Sequence, residues 1–344
     1  MNFNQKTSSH SGKTGKTCRR LLFLLLLVFL VLFLFPDEVQ KILNELQHTR
    51  WQVLALILFL AFLRFVLEGC IIKNAVGKNE GSSCRALSLG NGILCAFYCE
   101  FFRLFTLGSG SGIAEIYYLG QQGIQPARGT GISLIQYVIH KATITLYGIA
   151  ALLLYRKEWA QTLSPYRTAI CGGCVLAVGI CTGILLIATW KPLSDWLFFL
   201  IEKPISRLGK SWPEKCSRWK EQLALLQDEA RLLLHEKKRL LRLFLCNLLK
   251  FGCLFMIPWF TFSSGSIPFG KSWFLCALIY LLAGVIPAPS GYGSTEFLFL
   301  LLYSPFTGSG QAGAAAILLR IAASIAPALI GGMVYLLQKK KRNY

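Results

Sequence analysis

Ionisable side chains recur where the surrounding sequence is apolar. They are Arg64 and Glu68, Glu100 and Arg103, Glu115, Lys141 beside His140, Lys250, Glu296 and Arg320. A charge in hydrocarbon is expensive, so such residues pair or face a polar cavity, and each is a functional candidate. Arg64 and Glu68 stand at i, i+4, the spacing at which two side chains on one helix face neutralise each other. Lys250 lies about two turns into its run, close enough to one end for its amine to snorkel to the interface. Arg320 is set in "GAAAILLRIAASIAPALIGG" among small and apolar residues. It calls for a buried anion, and Glu296 is the natural partner, with Glu115 in a comparable place earlier in the chain. A structural ion pair and a contact to a substrate headgroup fit this pattern equally.

Other chemistries find no constellation. The four histidines (His10, His48, His140, His235) are dispersed, so no catalytic triad and no metal set forms. "CGGC" (Cys171–Cys174) has redox or metal spacing, but no histidine or second pair stands near it. Within an apolar helix those residues read as small packing groups. No catalytic residue, metal or cofactor is expected.

The elements that must position these charges are membrane helices. Of 344 residues 54% are hydrophobic, more than a soluble domain of this size carries. Apolar runs span 21–35, 51–71, 129–154, 168–189, 243–263 and 311–337, several near the roughly 20 residues needed to cross a bilayer core. The first follows a basic stretch like a signal peptide's, but "PDEVQ" and no small-x-small site come after it, so it reads as an uncleaved span. The net charge of +20 sits in loops and tails, where it sets topology and meets anionic headgroups rather than nucleic acid.

Two further apolar regions are interrupted, Ala86–Gly120 and Ser272–Phe306. Each is an apolar arm, a Gly-rich break with polar atoms, and a shorter arm too short to cross. Read as re-entrant hairpins, they leave six full spans and both termini in the cytoplasm. The basic tail 1–20, the segment 190–242 and the tail 338–344 then share that side, as the positive-inside rule asks. The first hairpin enters from the cytoplasm, the second from outside. Broken backbone is tolerated at membrane depth only against protein or a wet cavity, so the two tips point to a midplane site. The fold class is an all-α polytopic membrane protein with one transmembrane domain, 21–337. Within it, 190–242 reads as an interfacial helix followed by a solvated linker helix.

The stretch "PSGYGSTE" (Pro289–Glu296) resembles the Pro-Gly-Gly-x-Gly-x-x-Glu signature of the lysylphosphatidylglycerol synthase transmembrane-region family. Pro289, Gly291, Gly293 and Glu296 match, and Ser290 replaces a glycine. Arg320 in a small-residue helix fits as well. "GSGSGIAEIYYLGQQGI" (Gly108–Ile124) is similar to the family's first motif, a Gly-rich break leading to Tyr-Tyr-Leu. There Leu107 stands where the family usually has proline. The similarity runs from about residue 20 to 337. It covers the membrane half of the bacterial multiple peptide resistance factor; Tyr344 follows the last span closely, so a stand-alone form without the soluble aminoacyltransferase domain is expected.

The resemblance implies a flippase-like lipid translocase in the bacterial cytoplasmic membrane. It would move a phospholipid, aminoacylated such as lysyl-phosphatidylglycerol, or a lipid-linked headgroup. Envelope charge and resistance to cationic antimicrobial peptides would follow. The headgroup contacts it implies are Glu115, Tyr117, Lys141, Pro289, Gly291, Gly293, Glu296 and Arg320. Glu115 and Glu296 would meet a cationic aminoacyl group, and Arg320 or Lys141 a phosphate. One alternative is phosphatidylglycerol lysyltransferase activity, alone or with a separately encoded aminoacyltransferase as partner. Another is a non-transporting scaffold for envelope synthesis. The expected partner is membrane phospholipid, with a homo-oligomer left open and no nucleic acid.

Overall fold

The structure is a computed structural model that describes residues 36–77, 87–108, 110–155, 167–196, 212–262, 266–286, 288 and 291–342. The expected first span 21–35, the N-terminal tail 1–20 and Pro289 lie outside the described residues. The described chain is helical throughout, without a strand. Its elements are α1 (Pro36–Gln47), α2 (Trp51–Val76), α3 (Leu89–Phe105), α4 (Ser111–Gln121), α5 (Pro126–Leu154), α6 (Arg167–Thr189), α7 (Trp212–His235), α8 (Lys237–Thr261), α9 (Phe269–Ala283), α10 (Ser294–Thr307), α11 (Ser309–Arg320) and α12 (Ala326–Arg342). A π turn, Ile321–Ile325, joins the last two into one long rod. Five described helices are long and apolar enough to cross a membrane: Trp51–Val76, Pro126–Leu154, Ile170–Ile187, Lys237–Thr261 and Ser309–Lys340. They coincide with five of the six expected spans.

Helix ends fix the frame. Ser88 caps α3 by accepting the Asn91 N–H at 3.2 Å. At the other end of α2 the last carbonyls meet two arginines from elsewhere. Arg239 donates to Asn74 O at 2.7 Å and to Ala75 O, and Arg128 donates to Val76 O at 2.8 Å. A cation belongs there, because the orphan carbonyls carry the negative end of the helix dipole. The two side chains pin the starts of α5 and α8 against the finish of α2. Since Arg239 opens α8, α2 and α8 run antiparallel, and Lys250 on α8 meets Glu68 on α2 one stretch further in.

Glycines let the helices close. A Cβ on Gly92 of α3 would lie 2.4 Å from Gly69 O of α2, and one on Gly331 of α12 would lie 2.0 Å from Phe97 O of α3. Both crossings bring backbones together as small residues do in membrane bundles.

Each interrupted region is a pair of helices around a break. The outer ends of α3 and α4 are joined by Asn91 Nδ2 donating to Gln122 Oε1 at 2.8 Å, at the α2 end that Arg128 and Arg239 cap. The α9–α10 pair is closed by Tyr303 OH donating to Ser272 O at 2.6 Å, near the finish of α8, where Trp259 Nε1 donates to Ile267 O. The pairs therefore open toward opposite ends of the bundle. Each has its own core: Tyr98, Tyr118, Leu119 and Ile132 around the first, Leu275, Phe299, Leu302 and Phe255 around the second.

One expectation needs revision. The helix expected to be a solvated linker, α7, packs a face into the bundle: Leu223 and Leu233 join the core of the first pair. Buried Gln227 donates to Ile187 O at 2.8 Å and to Ser194 Oγ at 3.0 Å. Its leucine stripe, not its charge pairs, decides where it sits.

Candidate functional site

The break between α3 and α4 borders a cavity of about 490 Å³, walled also by α2, α5 and α8. Its walls carry most of the intramembrane charge: Arg64, Glu68, Glu100, Arg103, Glu115, His140, Lys141 and Lys250. They come from five helices, so a hydrophobic bundle presents a polar lining. The break itself is set by Leu107 at φ 50° and Gly108 at φ 98°. Proline cannot adopt a positive φ, so the leucine at this position goes with a turn the proline could not make.

The pairing inside differs from what spacing suggests. Arg64 and Glu68 form no direct ion pair with each other. Glu68 Oε2 lies 2.8 Å from Lys250 Nζ, and Arg64 Nη1 donates to Ala323 O at 2.8 Å. Lys250 does not snorkel: it is buried, with its amine 3.4 Å from His140 Nδ1 as well. A carboxylate on a neighbouring helix outweighs a partner on the same face, because a short contact without water between is the stronger one. Arg103 and Glu100 pair at 3.0 Å. Glu115 accepts from Gln136 Nε2 at 2.6 Å and from the Ser133 hydroxyl; among the described residues no ion pair holds it.

Several buried atoms lining this space have no hydrogen-bond partner: Arg64 Nε, Glu100 Oε1 and Asn247 Oδ1. Glu100 and Asn247 are almost wholly buried. Buried polar atoms are nearly always satisfied, so an unsatisfied donor and acceptors around one cavity mark a place for a polar ligand or water.

The second break is closed on itself. Arg320 Nε donates to Glu296 Oε1 at 2.6 Å, and its Nη2 donates to Gly291 O at 3.3 Å. The guanidinium also lies over the Tyr292 ring, 4.4 Å from its centroid. Glu296 Oε2 accepts the Gly293 N–H at 2.9 Å. This carboxylate caps α10 and pairs with Arg320 at once. The hydroxyls of Ser294 and Thr295, at the start of α10, do not cap it and donate instead to Gly291 O, at 3.2 and 2.9 Å. Gly291 (φ 72°) and Gly293 (φ 84°) hold a conformation that side chains resist.

The structure thus separates the residues expected to share one site. Glu115 and Lys141 line the cavity, and Lys141 lies against Gly284 at the end of α9, with its amine 5.5 Å from the Tyr137 ring centroid. Glu296, Arg320, Gly291 and Gly293 form the second tip. Tyr117 is half-exposed on the opposite face of α4, in a lateral groove with Ile113 and Val334. Glu68, His140, Asn247 and Lys250 are cavity residues that spacing did not bring together with Glu115; their signal was their shared polarity inside apolar runs.

The family model described as the lysylphosphatidylglycerol synthase TM region matches residues 20–331. The chain belongs to that family and is a multi-pass membrane protein with a lipid-related function. No curated protein matches it.

Proposed function

We propose that the protein is a lipid translocase that takes a phospholipid headgroup into the charged cavity while the acyl chains stay in the bilayer. The observation that carries this reading is the set of buried, unpartnered donor and acceptor atoms around a cavity beside a broken helix pair. The two helix pairs act as re-entrant hairpins, entering from opposite faces of the cytoplasmic membrane, with both termini inside. Irregular backbone at their tips is then shielded from lipid. Among the described residues Glu115 has neutral donors and no cation in pairing distance, so it is the carboxylate to meet an ammonium group. That favours a headgroup carrying an ammonium, such as an aminoacylated lipid, over one with hydroxyls alone. The Glu296–Arg320 pair acts as a latch holding the second hairpin, with no headgroup contact of its own.

Reconstituted vesicles test this. Phospholipids with a fluorophore on one acyl chain, aminoacylated or plain, are bleached from outside by a membrane-impermeant reductant. The expected result is bleaching beyond the outer-leaflet share only when protein is present, with Glu115→Gln slowing the aminoacylated lipid more than the plain one. Bleaching equal to that of protein-free vesicles for both lipids would overturn the reading.

A further inference from the structure

The cavity wall and the rod that carries Arg320 touch through Arg64. Arg64 stands on α2 in the cavity wall, and its Nη1 reaches out of the cavity to Ala323 O. Ala323 lies in the π turn Ile321–Ile325. In a regular helix its carbonyl would accept from residue 327, but that residue is Pro327, which has no N–H to give. A π turn at midspan often marks a functional element rather than a defect, and here it leaves a carbonyl for a side chain from another helix. The turn begins directly after Arg320, the residue that grips Glu296 and Gly291 O at the second tip.

Arg64 is not saturated by this bond. A guanidinium has five N–H donors in a fixed fork. Arg64 Nε is buried in the cavity wall and has no partner. Two other cavity cations are already paired, Arg103 with Glu100 and Lys250 with Glu68, and Lys141 lies at the α9 side of the cavity, against Gly284 and 5.5 Å from the Tyr137 ring centroid. Arg320 is held by Glu296. A phosphate oxygen entering at the α2 wall therefore finds an unpaired donor on Arg64, and the single amine of Lys141 is the other cation without an ion pair among the described residues. A phosphate is an ionised acceptor and holds a guanidinium more strongly than a neutral carbonyl does, and the fork favours two bonds to it at once. Engaging a phosphate with both edges draws the guanidinium off Ala323 O. The carbonyl is then unpaired in a buried setting, which the π turn can relieve only by moving.

We infer that Arg64 is a phosphate ligand with two positions, which couples occupancy of the cavity to release of the second hairpin. The ligand is the phosphodiester of a membrane lipid, with hydroxyl or ammonium donors satisfying Glu100 Oε1 and Asn247 Oδ1. This rests on the headgroup reading above and adds to it the residue that binds the phosphate and the route by which binding is felt at the other tip. A ligand shifts such an equilibrium only through contacts that differ between the two states, and the exchange of Ala323 O for phosphate is that difference.

The test uses the full chain in nanodiscs made with phosphatidylglycerol, with a diacylglycerol of the same acyl chains in an uncharged matrix, or with that diacylglycerol plus inorganic phosphate. Lipid affinity and amide hydrogen exchange over 320–328 are both measured. For the unaltered chain, phosphatidylglycerol should raise exchange over 320–328 at least threefold relative to diacylglycerol. Arg64→Gln should weaken phosphatidylglycerol binding at least tenfold and show raised exchange that no longer responds to lipid. Arg64→Lys keeps a charge but lacks the fork; it should bind within about threefold of the unaltered chain and still show no exchange response. If both variants bind and respond like the unaltered chain, the role of Arg64 is overturned while the headgroup reading survives. If phosphatidylglycerol binds the unaltered chain no better than diacylglycerol does, the headgroup reading fails and takes this inference with it. A response to inorganic phosphate alone would make the ligand a free anion and overturn the assignment to lipid.

Discussion

The two helix pairs have the same plan, an arm, a Gly-rich break and a shorter arm, yet they treat their polar atoms in opposite ways. The α3–α4 pair faces a cavity of about 490 Å³ and leaves Glu100 Oε1 without a partner. The α9–α10 pair turns inward: Arg320, Glu296, Gly291 and Gly293 bond to one another, and the pocket that Glu296 and Arg320 line is only about 10 Å³. A broken helix in a membrane can thus be stabilised either by a partner still to come or by a local network. The first arrangement suits ligand binding, the second a closed latch. The conspicuous sequence signature sits on the latch.

That contrast can be broken first at the seat of the open pair. Gly331→Val would drive a Cβ into Phe97 O, and overpacking of a backbone contact costs about 3 kcal/mol or more. The folded, monodisperse yield after detergent extraction should collapse; a normal yield would mean that α12 does not seat α3. Next comes the cavity wall. Lys250→Met removes the cation from a buried pair, at a cost of about 3–5 kcal/mol. Thermal unfolding of the purified protein should show that loss, and adding Glu68→Gln should recover much of it. No recovery would mean the two side chains do not depend on each other.

The latch should respond less, because its pair is partly open to the surface, with side-chain exposures of 19% and 32%. Glu296→Gln and Arg320→Gln should each lose about 2 kcal/mol. The double change should lose less than the sum, since each single change strands the other partner. Additive losses in that double-mutant cycle would contradict a latch. The smallest effects belong to the turns. Gly291→Ala, at φ 72°, should cost about 1–2 kcal/mol, and Leu107→Gly, at φ 50°, should be neutral or gain up to about 1 kcal/mol. Leu107→Pro should destabilise clearly, because the ring cannot reach that φ. If proline were tolerated there, the first break would have a different backbone.

Much of the architecture was legible in the residues. Apolar length alone located five of the membrane helices, because a bilayer demands long apolar runs and the chain has little freedom in how to supply them. The interrupted regions were legible as broken pairs, and Glu296 with Arg320 as partners, because a lone arginine among alanines has few places to find an anion. Partners between distant helices were not. Glu68 stands four residues from Arg64 but 182 from Lys250, and spacing along one helix cannot see a contact set by helix crossing. Tyr117 illustrates a second limit: it stands two residues from Glu115 in the same motif, yet residues two apart on a helix do not share a face, and it lines the lateral groove. The role of Arg64 was hidden for a third reason. It depends on a carbonyl that Pro327 leaves open one helix away, which matters only once the two helices are in contact.

The central claim is that lipid headgroups are handled at the open pair and not at the latch. A phospholipid with a photoreactive diazirine on its headgroup addresses it directly. After irradiation of the reconstituted protein, mass spectrometry locates the attached residues. The account predicts adducts on the cavity walls, within 108–115, 133–141 and 247–250, which excess unlabelled lipid suppresses. Adducts concentrated at 291–296 and absent from those walls would contradict it.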